Sequence, residues 1–160
     1  NHLKSVLQAA AQHEGSAFVE ILQNCPIFNA GAWEPWVDRA VRDDRLLELA
    51  HGRPAIFGSA KDRGVRLDGL CPEVVRFAPE APPADLLAWD EAADPPAAAF
   101  LLARAGGVTE DFPLPIGVFR RVAAPAYERS MHGQIAAEGE RIGVGDLDGA
   151  LGGGETWTVS

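Results

Sequence analysis

The first 22 residues constrain the fold more than any other part of this chain. Leu3, Val6, Leu7, Ala10 and Ala11 recur at the i, i+3, i+4, i+7, i+8 spacing of a helix with one apolar face. Asn1 is placed to cap its start, and Gly15 to take the left-handed conformation that ends a helix. Residues 17–22, Ala-Phe-Val-Glu-Ile-Leu, then read as a strand that is apolar on both faces apart from Glu20. A strand of that kind must be covered on both sides, which is the pattern of a parallel sheet flanked by helices. A helix running directly into it is half of a βαβ unit. One strand makes no sheet, so the other half is expected ahead of residue 1. The chain also has no initiator methionine, its sole Met being Met131. It therefore reads as α/β and as a piece of something longer.

After Asn24 the pattern changes. Pro26, Asn29, Gly31 and Pro35 punctuate a loop that carries Phe28, Trp33 and Trp36. Residues 37–50 are predicted helical, with Asp38–Arg42 and Arg39–Asp43 at i,i+4 spacing. Short strands are predicted around 55–57, 65–67 and 74–77, each bounded by Gly or Pro. Pro79, Pro82 and Pro83 form a linker into 85–94, and a second helix starts after Pro95-Pro96 and runs to Gly106-Gly107. A Pro-broken stretch, 112–119, precedes a last helix over about 126–140. The glycine-rich stretch 143–154 reads as mobile, with Trp157 able to dock it. There is no internal repeat and no heptad.

Composition removes several classes of function. The 14 Lys and Arg against 23 Asp and Glu give a formal charge of −9, which argues against a nucleic-acid backbone as partner. The longest apolar run, 97–103, is too short to cross a bilayer, and Lys4, Gln8, Gln12, His13 and Glu14 interrupt what would have to be a signal-peptide core. No membrane association is expected. Two cysteines do not build a disulfide framework, so a reducing cytoplasm is the expected compartment.

Few side-chain constellations remain that could carry chemistry. His2, His13, His51 and His132 form neither HxH nor HExxH, and on one helix His2 and His13 would stand roughly 16 Å apart, too far to share a metal. The carboxylates of Asp43-Asp44, Asp90-Glu91, Glu110-Asp111, Asp146 and Asp148 sit in loops or beside arginines, which suits a solvated face. Glu20 stands out because its strand is apolar, so it is expected to be hydrogen-bonded there or to be functional. Gly143-Val-Gly145 and residues 152–154 lack the Gly-Lys-Ser/Thr of a phosphate loop. Cys25 is the residue to single out. It follows the C-terminal end of the apolar strand, where ligands gather in open parallel sheets, and Pro26 forces a sharp extended exit. A lone cysteine can equally be a small buried hydrophobe, the reading that also fits Cys71. The two do not form a CxxC, and no histidine stands at a spacing that would make Cys25 a nucleophile.

The string Phe18-Val-Glu-Ile-Leu-Gln-Asn-Cys-Pro-Ile-Phe-Asn29 resembles the β-subunit of 2-oxoacid:ferredoxin oxidoreductases, especially the 2-oxoglutarate branch. The likeness continues through His51-Gly-Arg-Pro-Ala-Ile-Phe-Gly58, Leu67-Asp-Gly-Leu-Cys-Pro-Glu-Val-Val75 and Ala99-Phe-Leu-Leu-Ala-Arg104. It extends to Pro113-Leu-Pro-Ile-Gly-Val-Phe-Arg120 and Glu155-Thr-Trp-Thr-Val159, so it spans essentially the whole chain in order. The resemblance implies the C-terminal part of a thiamine-diphosphate-binding α/β fold, a parallel sheet with flanking helices, plus a C-terminal extension of short strands and helices. Residues 1–30 would end the thiamine-diphosphate-binding domain, 31–142 would be scaffold and subunit interface, and 143–160 a glycine-rich tail. Such enzymes decarboxylate a 2-oxoacid oxidatively to an acyl-coenzyme A and pass electrons through 4Fe–4S clusters to ferredoxin, alongside an α-subunit. By the resemblance, Cys25 corresponds to the fourth cysteine ligand of the β-subunit's 4Fe–4S cluster, which makes it the one metal-ligating candidate here. The family's other cluster cysteines and its Gly-Asp-Gly…Asn signature for Mg²⁺ and the diphosphate are not in this sequence, so thiamine diphosphate and Mg²⁺ would be bound mainly by another half, and this chain alone is expected to be inactive. Ala30 stands where members often carry Asp, and Trp89 where His is common. Aromatics such as Trp33 and Trp36 on a Pro/Gly loop suit an interface anchor or ordinary core packing. The rival class is a small, non-catalytic interaction module with no cofactor, in which Cys25 is merely buried.

Overall fold

A computed structural model describes residues 2–106, 111–143, 145–154, 157 and 159. The chain divides into two compact units, Asn1–Gln12 with Phe18–Val122, and His13–Ala17 with Ala123–Ser160. In chain order the first contains α1 (His2–Ala11), the single turns α2 (Glu34–Val37) and α3 (Arg42–Arg45), and β1 (Leu46–Leu49). It continues with β2 (Ile56–Phe57), β3 (Arg63–Asp68), β4 (Cys71–Arg76), α4 (Ala97–Ala105) and β5 (Leu114–Gly117). The second contains α5 (Tyr127–Ile142) and α6 (Leu147–Gly152).

The α/β class expected from the sequence holds, but the parallel pairing is made by other residues. β1 and β5 run parallel, with Leu46 opposite Leu114 and Leu49 opposite Gly117. β2, β3 and β4 form an antiparallel sheet in which all six residues of β3 pair with β4, from Arg63–Arg76 to Asp68–Cys71. Residues 17–22 form no strand, and no strand among the described residues pairs with them. Phe18 is 90% exposed and Glu20 stands in solvent. The expected strand, and the expectation that Glu20 is bonded within it, therefore fail. An apolar run becomes a strand only where a neighbour takes up its backbone hydrogen bonds.

The helix expected over 37–50 fails for a different reason. The Asp38 side chain accepts the N–H of Ala40 at 2.8 Å, an Asx turn that competes with helical hydrogen bonding. From Leu46 the chain then follows a period of two, with Leu47 and Leu49 buried and Glu48 turned outward. Burial of two leucines outweighs i,i+4 ion pairs worth about 0.2–0.5 kcal/mol each. Helix α4 begins after Pro95-Pro96 as expected, because proline is tolerated where the first turn's N–H groups are unpaired anyway.

The core of the first unit gathers Leu47, Leu49, Ala55, Phe57, Val65, Trp89, Leu102 and Phe112. Its centre is Trp89, 1% exposed, whose indole N–H donates to the Val118 carbonyl at 2.9 Å and whose ring meets Phe119 edge-on at 6.1 Å. The segment after the proline-rich linker is laced to the antiparallel sheet by backbone bonds of 2.8 Å: Leu87 N–H to Val65 C=O, Ala55 N–H to Leu87 C=O, and Trp89 N–H to Arg53 C=O. At the end of β5, Gly117 has φ +116, and a Cβ there would lie 2.7 Å from the Leu49 carbonyl oxygen. Only glycine fits that approach of the two parallel strands.

Arg63 lies over the Phe57 ring at 4.9 Å and pairs with Asp44, which also accepts the Ser59 N–H at 3.1 Å. These donors, the Ser59 backbone N–H first, hold the Asp44 carboxyl below its usual range.

In the second unit the expected last helix is present as α5, with no residue buried; Tyr127, Met131, Ile135 and Ile142 share one exposed face. Glu14 accepts the Ala124 N–H at 3.1 Å and pairs with Arg129 at 2.7 Å. The stretch expected to be mobile contains α6, whose start is capped by the Asp146 side chain on the Gly149 N–H, and Trp157 is 85% exposed rather than docked. Among the described residues no helix is long and apolar enough to cross a bilayer.

Trp89→Ala should cost about 3–5 kcal/mol in urea unfolding, through a large cavity and an unpaired carbonyl. Because the Asp44 pKa is lower folded than unfolded, its stabilisation is complete above the unfolded value and is lost as pH falls through the folded one. Asp44→Asn should therefore flatten the acid limb of a stability-against-pH curve below about pH 4, with little change in slope at neutral pH.

Candidate functional site

Two places in the first unit have the shape of a site. One is a cleft of about 230 Å³ at the C-terminal ends of β1 and β5, lined by Leu49, Ala50, Gly117 and Val118 together with His2 and Ser5 of α1. This is where ligands collect in open parallel sheets. Its polar groups, however, are turned on each other: His2 Nδ1 lies 3.2 Å from Glu48 Oε1, and Arg121 Nε lies 3.4 Å from Glu91 Oε1. The Arg121 N–H also donates to the Glu91 carbonyl at 2.7 Å. A cleft whose polar groups are already engaged, in the His2–Glu48 hydrogen bond and the Arg121–Glu91 ion pair, offers a ligand little purchase.

The other is the loop around Cys25. Pro26 follows the cysteine, and the chain reverses at once: the Asn29 N–H donates to the Cys25 carbonyl at 2.9 Å, and the two residues form an isolated antiparallel bridge. Asn24 fixes the outgoing side, its Oδ1 accepting the Gly31 N–H at 2.7 Å, and Gly31 at φ +77 turns the chain towards α2. The N–H of Phe28 foremost, then those of Ile27 and Asn29, hold the Cys25 thiol below its ordinary range, against a partial desolvation that pushes it up. Cys25 is half-buried, while Ile27 is 84% and Phe28 90% exposed. The loop thus presents a half-buried thiol flanked by two exposed apolar side chains.

The other residues weighed from the sequence do not join it. Cys71 opens β4 and is exposed, which overturns the buried-hydrophobe reading for it. His51 lies 3.5 Å from Asp90. Glu110 lies outside the described residues. Trp33 and Trp36 are half-buried and meet edge-on at 6.1 Å. Among the described residues no group of three or more His, Cys, Asp or Glu converges as a metal site would require. What inspection of side chains missed was the contribution of Ile27, Phe28 and Asn29, which act on the sulfur through their backbone; the Cys-Pro pair followed by Asn, a turn-forming pattern, was the available signal.

The sequence aligns along its length with the 2-oxoglutarate oxidoreductase subunit KorB of Mycobacterium tuberculosis, with 36% identity over 161 aligned positions that cover 99% of this chain and 42% of the relative. The chain is similar to part of an oxidoreductase subunit. The resemblance carried by the ordered motifs is borne out by that alignment. The chain spans less than half the length of this relative, 42%. No family model matches the sequence, and no solved structure matches it.

The state of the thiol can be read directly. With Cys71→Ser leaving Cys25 as the sole thiol, the pH profile of alkylation by iodoacetamide should have its midpoint below that of cysteine in an unstructured peptide. Unfolding in urea should move the midpoint up to the peptide's value.

Proposed function

We propose that this chain is a portion of the β-subunit of a 2-oxoacid:ferredoxin oxidoreductase, and that Cys25 is the ligand it contributes to a 4Fe–4S cluster. The observation that carries the proposal is the alignment, 36% identical over 99% of the chain, with a subunit named for 2-oxoglutarate oxidoreduction. The Cys25 loop supports it from the side of chemistry. Iron–sulfur clusters are held by thiolates, and N–H groups directed at the sulfur favour the thiolate and temper its charge. A cluster bound there would relay electrons singly.

The whole reaction proposed is oxidative decarboxylation: a 2-oxoacid, 2-oxoglutarate by analogy with the relative, releases CO₂, its acyl group passes to coenzyme A, and the electron pair leaves for ferredoxin. Thiamine diphosphate and Mg²⁺ belong to this chemistry, and no described carboxylate cluster of this chain suits the octahedral oxygen shell of Mg²⁺. Their sites are assigned to the part of the subunit that this chain does not span. The partners are an α-subunit, ferredoxin, the 2-oxoacid and coenzyme A. Both cysteines are free thiols, and the reducing cytoplasm is the compartment this chemistry calls for.

The test is Cys25→Ser in the assembled oxidoreductase, purified without oxygen. Iron content and the electron paramagnetic resonance signal of the reduced cluster should both fall. Ferredoxin reduction dependent on 2-oxoglutarate and coenzyme A should drop by more than the roughly 10–100-fold that outer partners of a metal site cost. A variant with full iron and full turnover would leave Cys25 without a cofactor and favour a cofactor-free interaction module.

A further inference from the structure

Helix α5 carries an apolar stripe that no described residue of its unit buries. At about 100° per residue, Tyr127, Met131, Ile135 and Ile142 fall within about 80° of arc. Tyr127, Ile135 and Ile142 are 68%, 61% and 65% exposed. The contacts that anchor the helix reach it from another side. Arg129, which pairs with Glu14 at 2.7 Å, stands about 150° round the helix from the centre of the stripe. Just ahead of the helix, the Ala124 N–H donates to the Glu14 carbonyl at 3.1 Å. The stripe is therefore turned away from the segment that holds α5. In the same unit Leu147 and Leu151 of α6, one turn apart, are 72% and 71% exposed.

We propose that the apolar stripe of α5 is a docking surface for the part of the same β-subunit that this chain does not span. The inference rests on the chain being a portion of that subunit. Length, packing and charge together choose the occupant. The chain covers 42% of the aligned relative, so more than half of that subunit has no counterpart here. A helix with one apolar stripe buries it against another element of its fold, and α5 has the stripe without the element. A covering surface in the same polypeptide meets the stripe at high effective concentration, whereas a separate subunit carries the full cost of association. A second copy of this chain is opposed by charge. Residues 13–17 and 123–160 hold seven Asp and Glu against two Arg, with Glu138 inside the stripe and Glu128 at its border. Two such units brought face to face repel.

The experiment is amide hydrogen exchange over residues 127–142, read by mass spectrometry on the full-length β-subunit alone and in the assembled oxidoreductase. The central amides should exchange at least about a hundredfold more slowly than in an unstructured peptide. That protection should already be present in the subunit alone, unchanged by dilution or by assembly. Ile135→Asp, within the stripe, should speed exchange about tenfold or more. Ala136→Asp, on the far side of the helix, should change it by no more than about threefold, the scale of helix propensity alone. Equal effects of the two substitutions would overturn the inference, as would exchange near the peptide rate in both preparations. Protection that appears only on assembly would overturn it in favour of another subunit, and protection lost on dilution in favour of a second copy. Should the subunit not fold alone, a photocrosslinking amino acid in place of Tyr127 in the assembled enzyme decides the matter: a crosslink within the β-subunit supports the inference, and one to another chain overturns it. Failure of the underlying reading shows separately, as a native polypeptide no longer than these 160 residues.

Discussion

Burial of Trp89 organises the larger unit. Its ring fills the middle of the core, and its one polar atom reaches the Val118 carbonyl just past β5 at 2.9 Å. The same residue's backbone bonds to Arg53 and Gly52. Trp89 therefore joins the antiparallel strands to the parallel pair, through hydrophobic area in one direction and hydrogen bonds in the other. A buried indole without a partner would cost free energy, so the position of Val118, and with it the end of β5, is tied to the ring. The ends of β1 and β5 then approach so closely that Gly117 has no room for a side chain.

Parts of this arrangement were legible in the sequence. Helices α1 and α4 announce themselves by apolar spacing and by the Pro95-Pro96 start, and the short strands β2 to β4 by their Gly and Pro boundaries. β1 was hidden because Asp38, Arg39, Arg42 and Asp43 imitate a salt-bridged helix face, while the evidence for a strand, Leu47 and Leu49 on one side of Glu48, occupies only four residues. Residues 17–22 mislead in the other direction. They have the apolarity of a buried strand, but strand formation is a property of pairs, and side-chain pattern says nothing about whether a partner is present. Trp89 is invisible as a hub because its neighbours come from segments far apart in the chain.

The candidate site divides along the same line. Cys25 was legible, through its place in a motif string and the proline that follows it. The features that distinguish it from an ordinary thiol, a pKa lowered by the neighbouring backbone N–H groups and the exposure of Ile27 and Phe28, follow from a chain reversal. Side-chain identity only hints at that reversal, because main-chain donors are the same at every residue except proline. The cleft beyond β1 and β5 is the counterexample. It stands where topology would place a ligand, but its His2–Glu48 hydrogen bond and Arg121–Glu91 ion pair already engage the polar groups a ligand would need.

Helix α5 has no buried residue along its 16 positions. Tertiary packing gives most protein helices their stability, and a helix of this length in water is marginal on its own hydrogen bonds. Among the described residues its ion pairs, Arg141–Glu138 and Arg129–Glu14, both lie in solvent. On the scale of amide-proton exchange, such a helix opens at a small fraction of the free energy needed to open β1 or β3, whose residues reach 0% exposure at Leu47 and Val65. Within this chain taken alone, the helix sits at the low-stability end of that range.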